Sequence, residues 1–463
     1  MLSVIKEKYI GDRKFYENLF KISFPIIIQN ALTNFVNLLD NIMVGRLGTE
    51  QMSGVSIVNQ IIFVYYLLIF GGLSGVGIYT AQYYGNHDDE GVRTTFRFKL
   101  WLGLIICITS IMILLLFGGN LVQKFLNGSS DGGDLAATLS YGMKYMGIIV
   151  FMLPAVYIGM LYTSTMRECG QTFVPMIAGV VAIIMNCILD YGLIFGKLGL
   201  PEMGVAGAAI ATVIARYAEM LIVVLWAVFN RNKHTYFKGV FRTFLVPRHL
   251  IKKYFITSMP LLINEGLWSI GVAMLAQAYS IRGLNVVAGQ NIASTINNIF
   301  NIVFIAMGDA VAIIVGQHLG SGDMRKARDA DNKIIAFAIF SSIIIGAIML
   351  VLAPIFPQFY NTNDMARLVA THFIMVQGLF MAKDAFLHTS YFTIRAGGNT
   401  VITFVFDSVF MMAVSVPFAH FLCRCTTLGI AVVFALVHAA DILKCIFGFI
   451  LLYKGIWMKN IVK

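Results

Sequence analysis

Apolar residues in this chain fall into long unbroken blocks, not into the short stripes that line a water-soluble core. Leu100–Gly118 and Ile334–Pro354 carry no charged residue. A helix of about 20 such residues reaches across roughly 30 Å of hydrocarbon. Blocks of this kind recur, and their limits predict helical spans over 22–45, 53–84, 98–118, 139–165, 173–196, 204–229, 254–280, 286–319, 333–355, 367–394, 400–422 and 428–453. The predicted fold is an all-α integral membrane protein of about twelve transmembrane helices.

The longest polar stretch between blocks, Asn230–Lys253, holds seven Lys and Arg together with Pro247. It divides the chain into an N-terminal six-helix lobe with a basic N-terminal arm (1–235), a cytoplasmic linker (236–253) and a C-terminal six-helix lobe (254–463). The two lobes repeat. Moved forward by 235 positions, Ser23-Phe24-Pro25 falls on Ser258-Met259-Pro260, Gly48 on Gly283, Gly54 on Gly289, and Gln82-Tyr83-Tyr84-Gly85 on Gln317-His318-Leu319-Gly320. Moved by 228, Thr165-Met166-Arg167 falls on Thr393-Ile394-Arg395. Pro, Gln, Arg and Gly in register are not what chance gives in an apolar alphabet. Six helices is an even number, so both lobes enter from the same side. The repeat is therefore parallel, related by an axis along the membrane normal, and transporters built this way bind substrate between their halves.

Composition sharpens this picture. Only 12% of residues are charged, against about 25% in soluble domains, and the mean hydropathy is +0.80. The net charge of +11 alone would suggest an acidic partner such as nucleic acid. With the N-terminus inside, however, 24 of the 34 Lys and Arg lie on inward segments or at the inward ends of spans, and six on outward loops or outward span ends. That is the positive-inside bias of a multi-pass plasma (inner) membrane protein with both termini in the cytoplasm, and membrane lipid is the partner it calls for. Met1–Lys21 reads as a basic cytoplasmic arm rather than a cleaved leader. The six cysteines have neither metal-ligand nor redox spacing. No Gly-x-x-x-x-Gly-Lys-Ser/Thr loop is present, so ATP is not expected to act directly. Gly72-Leu73-Ser74-Gly75 matches a short motif of intramembrane proteases, yet Gly71 and Gly75 read better as close helix packing.

The repeated segments carry a family signature. Asp40-Asn41-Ile42-Met43-Val44-Gly45-Arg46-Leu47-Gly48-Thr49-Glu50 resembles the first-helix motif of the multidrug and toxic compound extrusion (MATE) transporters. Ala81-Gln82-Tyr83-Tyr84-Gly85-Asn86 resembles their second-helix motif, and Val315-Gly316-Gln317-His318-Leu319-Gly320-Ser321-Gly322-Asp323 its eighth-helix copy. Gly204-Val205-Ala206-Gly207-Ala208-Ala209 resembles the sixth helix. The ordered set covers roughly 22–455. It implies a secondary active transporter, not an enzyme, that exports cationic amphipathic compounds by alternating access in exchange for Na⁺ or H⁺. The alternatives are a lipid-linked precursor flippase of the same superfamily and, in a different class, an intramembrane protease.

Ionisable side chains inside spans are functional candidates by default. Asp40 lies about two-thirds along the first span. Asn186 and Asp190, at i and i+4, share a face of the fifth. With Thr212 they would form a hard oxygen site for Na⁺, or for a proton shared between Asp40 and Asp190. The resemblance supports these positions, although no polar partner stands out on the fourth span. In the second lobe Glu265 and Asp384 are further coupling candidates. Lys383 points about 100° away from Asp384, and is expected to pair with Glu265 or to snorkel. Arg216–Glu219 and Asp441–Lys444, each at i,i+3, are expected to neutralise themselves as structural pairs. Pro25 and Pro260 open the first and seventh spans, as hinges or as simple first-turn prolines. Tyr65, Tyr66, Phe151, Met152, Phe300 and Met411 are among the aromatic and Met side chains available to a polyspecific cavity or to packing.

Overall fold

A chain crossing lipid must satisfy its backbone hydrogen bonds internally, and helices do so within one segment. In a computed structural model, which describes residues 8–126 and 134–463, every long element is helical. These are α1 (Arg13–Gly45), α2 (Thr49–Gly85), α3 (Asp89–Leu126), α4 (Leu135–Ile149), α5 (Met152–Glu168), α6 (Phe173–Phe195), α7 (Val205–Phe229), α8 (Arg248–Ser280), α9 (Leu284–Phe300), α10 (Ile302–Ser321), α11 (Met324–Leu352), α12 (Asp364–Ala396), α13 (Thr400–Cys425) and α14 (Ile430–Tyr453). Among the described residues eleven of them are long and apolar enough to span a membrane, and the bent pair α4–α5, counted as one span, brings the number to twelve. The outward loop expected around Ser129, and Lys6 of the basic arm, lie outside the described residues.

Three predicted spans differ in form, and proline or a polar residue marks each difference. The span read over 139–165 breaks after Ile149 and bends by 49°. Pro154, just inside α5, has no N–H for the carbonyl of Val150 and so cannot continue the preceding turn. The span read over 286–319 divides between Phe300 and Ile302, at Asn301. In the span read over 400–422, π-helical turns occupy Val405–Val409 and Met411–Ser415, directly before Pro417. Inserted π turns often accompany functional positions in helices.

Two compact units emerge. The N-terminal unit comprises Ile28–Gly77 and Asp89–Tyr254, and the C-terminal unit comprises Met1–Ile27, Ile78–Asp88 and Phe255–Lys463. Two helices thus contribute to both: α1 changes unit after Ile27 and α2 after Gly77.

Within each unit the repeat has a structural counterpart. A Cβ on Gly54 would meet the backbone of α4, 2.7 Å from the Thr138 carbonyl and 2.8 Å from the Gly142 nitrogen. A Cβ on its repeat mate Gly289 would meet α12, 2.7 Å from Val369 Cγ1 and 3.0 Å from the Ala370 nitrogen. In the C-terminal unit the two Gln-x-x-Gly motifs pack reciprocally: Gly85 sits on the carbonyl of Gln317, and Gly320 on the carbonyl of Gln82. Only residues without a Cβ allow helices so close. The polar segment after α7 packs within the N-terminal unit. Tyr236, Phe237 and Val240 are buried, and α3 holds the segment through Arg97 Nε to Val240 O (2.9 Å), Arg93 Nη2 to Thr235 O (3.0 Å) and Trp101 Nε1 to Phe244 O (3.0 Å).

Candidate functional site

In the N-terminal unit, α1 and α6 bring their acids together. Asp40 lies five residues before the end of α1, and Asp190 five before the end of α6. The side chains of Asp40 and Asp190 are hydrogen-bond neighbours, and Asn186, one turn before Asp190, lies beside them. Asp190 is 2% exposed. Oδ1 of Asp40 and Oδ1 of Asp190 are both buried and accept no hydrogen bond. Two unit charges about 4 Å apart, at an effective dielectric constant near 20, repel by about 4 kcal/mol. A proton shared between two such acids, or a cation beside them, relieves that repulsion.

The basic group of these surroundings, Arg216, stands within electrostatic range of Asp40. Arg216 on α7 spends its charge on Glu219 at 2.8 Å, the i,i+3 pair expected from the spacing. Thr212 Oγ1 donates to the carbonyl of Ala208 at 3.0 Å, so its proton is committed to its own helix. The polar group on the fourth span that the sequence did not reveal is Tyr145. Its hydroxyl donates to Asn59 Oδ1 on α2 at 3.2 Å, and it stands within electrostatic range of both acids. A tyrosine or asparagine inside an apolar block is too common to be a signal by itself.

The C-terminal unit arranges its acids differently. Glu265 on α8 faces Arg395 and Asp407 and is not joined to Asp384. Next to it, Asn264 Nδ2 donates to Asp407 Oδ2 at 3.2 Å and to Tyr391 Oη at 3.3 Å, and Ser408 Oγ donates to Asn264 Oδ1 at 2.7 Å. Lys444 of α14 bonds Asp407 Oδ1 at 2.8 Å. Asp407, in the first π turn of α13, is a half-buried acid that the sequence reading passed over. Its irregular helix is the feature that sets it inward.

Two sequence expectations fail here. Asp441 and Lys444 do not pair with each other: Lys444 takes Asp407, and Asp441 takes Lys383 at 3.2 Å. Lys383 does not reach Glu265. It bridges Asp384, at 2.7 Å, and Asp441. The 100° between neighbouring side chains constrains Cβ directions, but a four-carbon stem can swing its ammonium back across that angle. Asp384, His438 and Asp441 present ligand atoms that all lie within 4.8 Å of one another.

Both prolines are interior to their helices. Pro25 is the thirteenth residue of α1 and Pro260 the thirteenth of α8. The first-turn reading is thereby excluded, and each proline removes one ladder hydrogen bond from a continuing helix. Pro25 also lies two residues before the point at which α1 changes unit.

Known proteins share this architecture. The MatE family model matches residues 25–192 and 261–421. A probable multidrug resistance protein NorM of Thermotoga maritima is 24% identical over 451 residues, which cover 96% of this chain and 94% of that protein. A solved MOP superfamily transporter from Pyrococcus furiosus superposes with a TM-score of 0.85 at 21% identity, over 98% of this chain and 97% of that one. A MATE solved in the bent conformation superposes with a TM-score of 0.85 at 21% identity, over 96% of both chains. Two matched segments, one in each repeat, leave the assignment to rest on the whole helical frame: the chain belongs to the MatE family.

Proposed function

We propose that this multi-pass membrane protein is a multidrug exporter of the inner membrane, with both termini in the cytoplasm, that exchanges cationic amphipathic compounds for an inward-moving Na⁺ or H⁺. The names of its relatives, multidrug resistance proteins, support multidrug export but not a particular substrate class. The observation that carries the coupling assignment is the Asp40–Asp190 pair, with one buried, unpartnered oxygen on each acid. In this reading Asp40, Asn186 and Asp190 hold the coupling ion, and the oxygen of Thr212 remains able to accept. Glu265 and Asp384 shape the C-terminal unit electrostatically.

The cation acts through its different affinity for the two states of the transporter, since a ligand shifts an equilibrium only by that difference. Occupancy of the acid pair relieves its repulsion and favours the arrangement of α1 and α6 that brings the acids together. Emptying the pair favours their separation. Pro25, next to the unit change in α1, is the place where α1 can bend without losing a ladder hydrogen bond it already lacks. Energy comes from the ion gradient, with no role for ATP.

Purified protein in liposomes tests this. Dye efflux is followed under a Na⁺ gradient and, separately, under a pH gradient. One of the two gradients should drive transport, and Asp40→Asn should abolish that dependence. Efflux that ignores both gradients would end the antiporter reading.

A further inference from the structure

Lys383 occupies the position of a bound ion. Its ammonium lies 2.7 Å from Asp384 Oδ1, 3.2 Å from Asp441 Oδ2 and 3.2 Å from the main-chain carbonyl of His438. Three N–H donors thus meet three oxygens, two of them from carboxylates. The ammonium also stands 5.3 Å from the centroid of the Phe380 ring, and a cation is attracted to such a ring face. The His438 ring packs 4.6 Å from Phe434 and 5.9 Å from Phe380, centroid to centroid. Its Nδ1 is buried with no hydrogen-bond partner. Ser415 Oγ donates to the other oxygen of Asp441 at 3.4 Å. Oxygens converging from α12 and α14, with a ring nitrogen left over, form a coordination shell, and the group filling it belongs to the chain.

We infer that Lys383 is a tethered cation: its ammonium fills a monovalent-cation site made by Asp384, Asp441 and the His438 carbonyl, and so keeps this site from exchanging Na⁺. The charges favour this arrangement. With Lys383 in place the two carboxylates carry a net charge of −1. Without it they carry −2 in a half-buried setting, and a mobile cation must replace the ammonium or a proton must be taken up. A tethered group also competes at high effective concentration, in the millimolar range or above for a short link, so a free ion of ordinary affinity is displaced. Lys383 is thus a specificity-determining residue that confines ion exchange to the N-terminal unit. The filled site is read out by binding at its own residues, while the confinement of exchange to the N-terminal unit rests on the coupling assignment proposed above.

The test measures equilibrium binding of radioactive Na⁺ to the purified full chain in choline chloride, with Asp40→Asn as the background so that the N-terminal acids contribute no site. The background protein should show no Na⁺ site that depends on Asp441. Adding Lys383→Met should create one saturable Na⁺ site per chain. Adding Asp441→Asn to that variant should remove it, and Lys383→Arg in place of Lys383→Met should create none. No gain with Lys383→Met overturns the inference, as does a site in the background protein that Asp441→Asn abolishes. A background site that Asp441→Asn leaves untouched counts against Asp40 as the coupling residue, and the gain with Lys383→Met still decides the present inference. Should Lys383→Met melt too early for binding, its melting temperature in NaCl against choline chloride serves instead. Na⁺ should raise it through mass action on the folded state. Equal melting in the two salts also overturns the inference.

Discussion

Asp40 and Asp190 of the N-terminal unit form no salt bridge with a basic side chain among the described residues, whereas Asp384, Asp407 and Asp441 of the C-terminal unit each take a lysine. Asp40 and Asp190 meet each other, and the nearby Arg216 is bound to Glu219. Asp407 is held by Lys444, and Asp384 and Asp441 share Lys383. The repeat does not extend to these groups. At the offset of 235, Asp40 corresponds to Leu275 and Glu265 to Asn30; at 228, Asp190 corresponds to Phe418 and Asp384 to Val156. The helices and their glycine contacts are thus duplicated, as is Arg167 in Arg395, but these four acids have no acidic counterpart in the other half. In the proposed reading, the acid pair short of counter-charge exchanges one, while an acid with its own lysine does not. Removing an acid in the first unit should cost transport, and removing a lysine in the second should cost stability.

The largest expected effect is that of Asp40→Asn. Asparagine nearly preserves the shape of the side chain but carries neither the charge nor the proton. Gradient-driven efflux should fall to the level of protein-free liposomes. The protein should still reach the membrane and melt close to wild type, because the substitution also removes a like-charge repulsion. Wild-type gradient dependence in this variant would move the coupling site to the second unit and erase the contrast. Next comes Lys444→Met, which leaves Asp407 in a partly buried setting without its cation. Breaking a buried pair from one side costs about 3–5 kcal/mol. The partial exposure of this pair, 12% and 19% for the two side chains, sets the expectation at the lower end. Thermal unfolding in detergent should show a clear loss of stability, and an unchanged melting temperature would show that Asp407 does not need its lysine.

The frame of this molecule was legible because the bilayer enforces it. Apolar blocks of spanning length, the repeat of Gly54 in Gly289 and of Gln82 in Gln317, and the pairing of Asp40 with Asn186 and Asp190 all follow from period, spacing and the cost of burying charge. What the sequence hid depends on contacts between distant segments. Lys383 and Asp441 are far apart in the chain, and only the approach of α12 to α14 joins them. Asp407 was hidden by a helical irregularity whose direction a regular period of 3.6 cannot give. Pro25 and Pro260 seemed to open their helices because hydropathy marks where the apolar block starts. Polar turns such as Arg13–Lys21 extend the same helix outward beyond that point.

A third expected effect compares the packing of the two units. Gly54→Ala would push its methyl into the backbone of α4 at 2.7 and 2.8 Å, whereas Gly289→Ala meets the Val369 Cγ1, which can rotate, at 2.7 Å, and the fixed Val369 Cβ and Ala370 nitrogen only at 2.9 and 3.0 Å. Overpacking costs typically about 1–3 kcal/mol. Gly54→Ala should fall at the upper end and Gly289→Ala at the lower, as measured by melting of the two variants side by side. The reverse order would mean that α4 yields more readily than α12.

The smallest expected effect tests whether the N-terminal acid pair is tuned by its neighbours. Tyr145 is buried on α4, and its hydroxyl bonds Asn59 Oδ1 at 3.2 Å. Tyr145→Phe keeps the ring and deletes that donor. Asn59 Oδ1 then loses its partner, and the acids lose a hydroxyl dipole within electrostatic range. A neutral hydrogen bond of this kind contributes about 0.5–1.5 kcal/mol. If the bond is formed only when the coupling ion is bound, that energy appears as a change of about threefold to tenfold in the ion concentration giving half-maximal efflux. Maximal efflux should be preserved, since both carboxylates remain. If the bond is equally present in both states, the half-maximal concentration stays fixed and only the melting temperature falls, because a contribution common to two states cannot bias the equilibrium between them. The ion dependence of efflux, measured together with the melting curve, separates these outcomes. A shift in the former assigns Tyr145 to the coupling site of the N-terminal unit, and a shift in melting alone assigns it to the packing of α2 against α4.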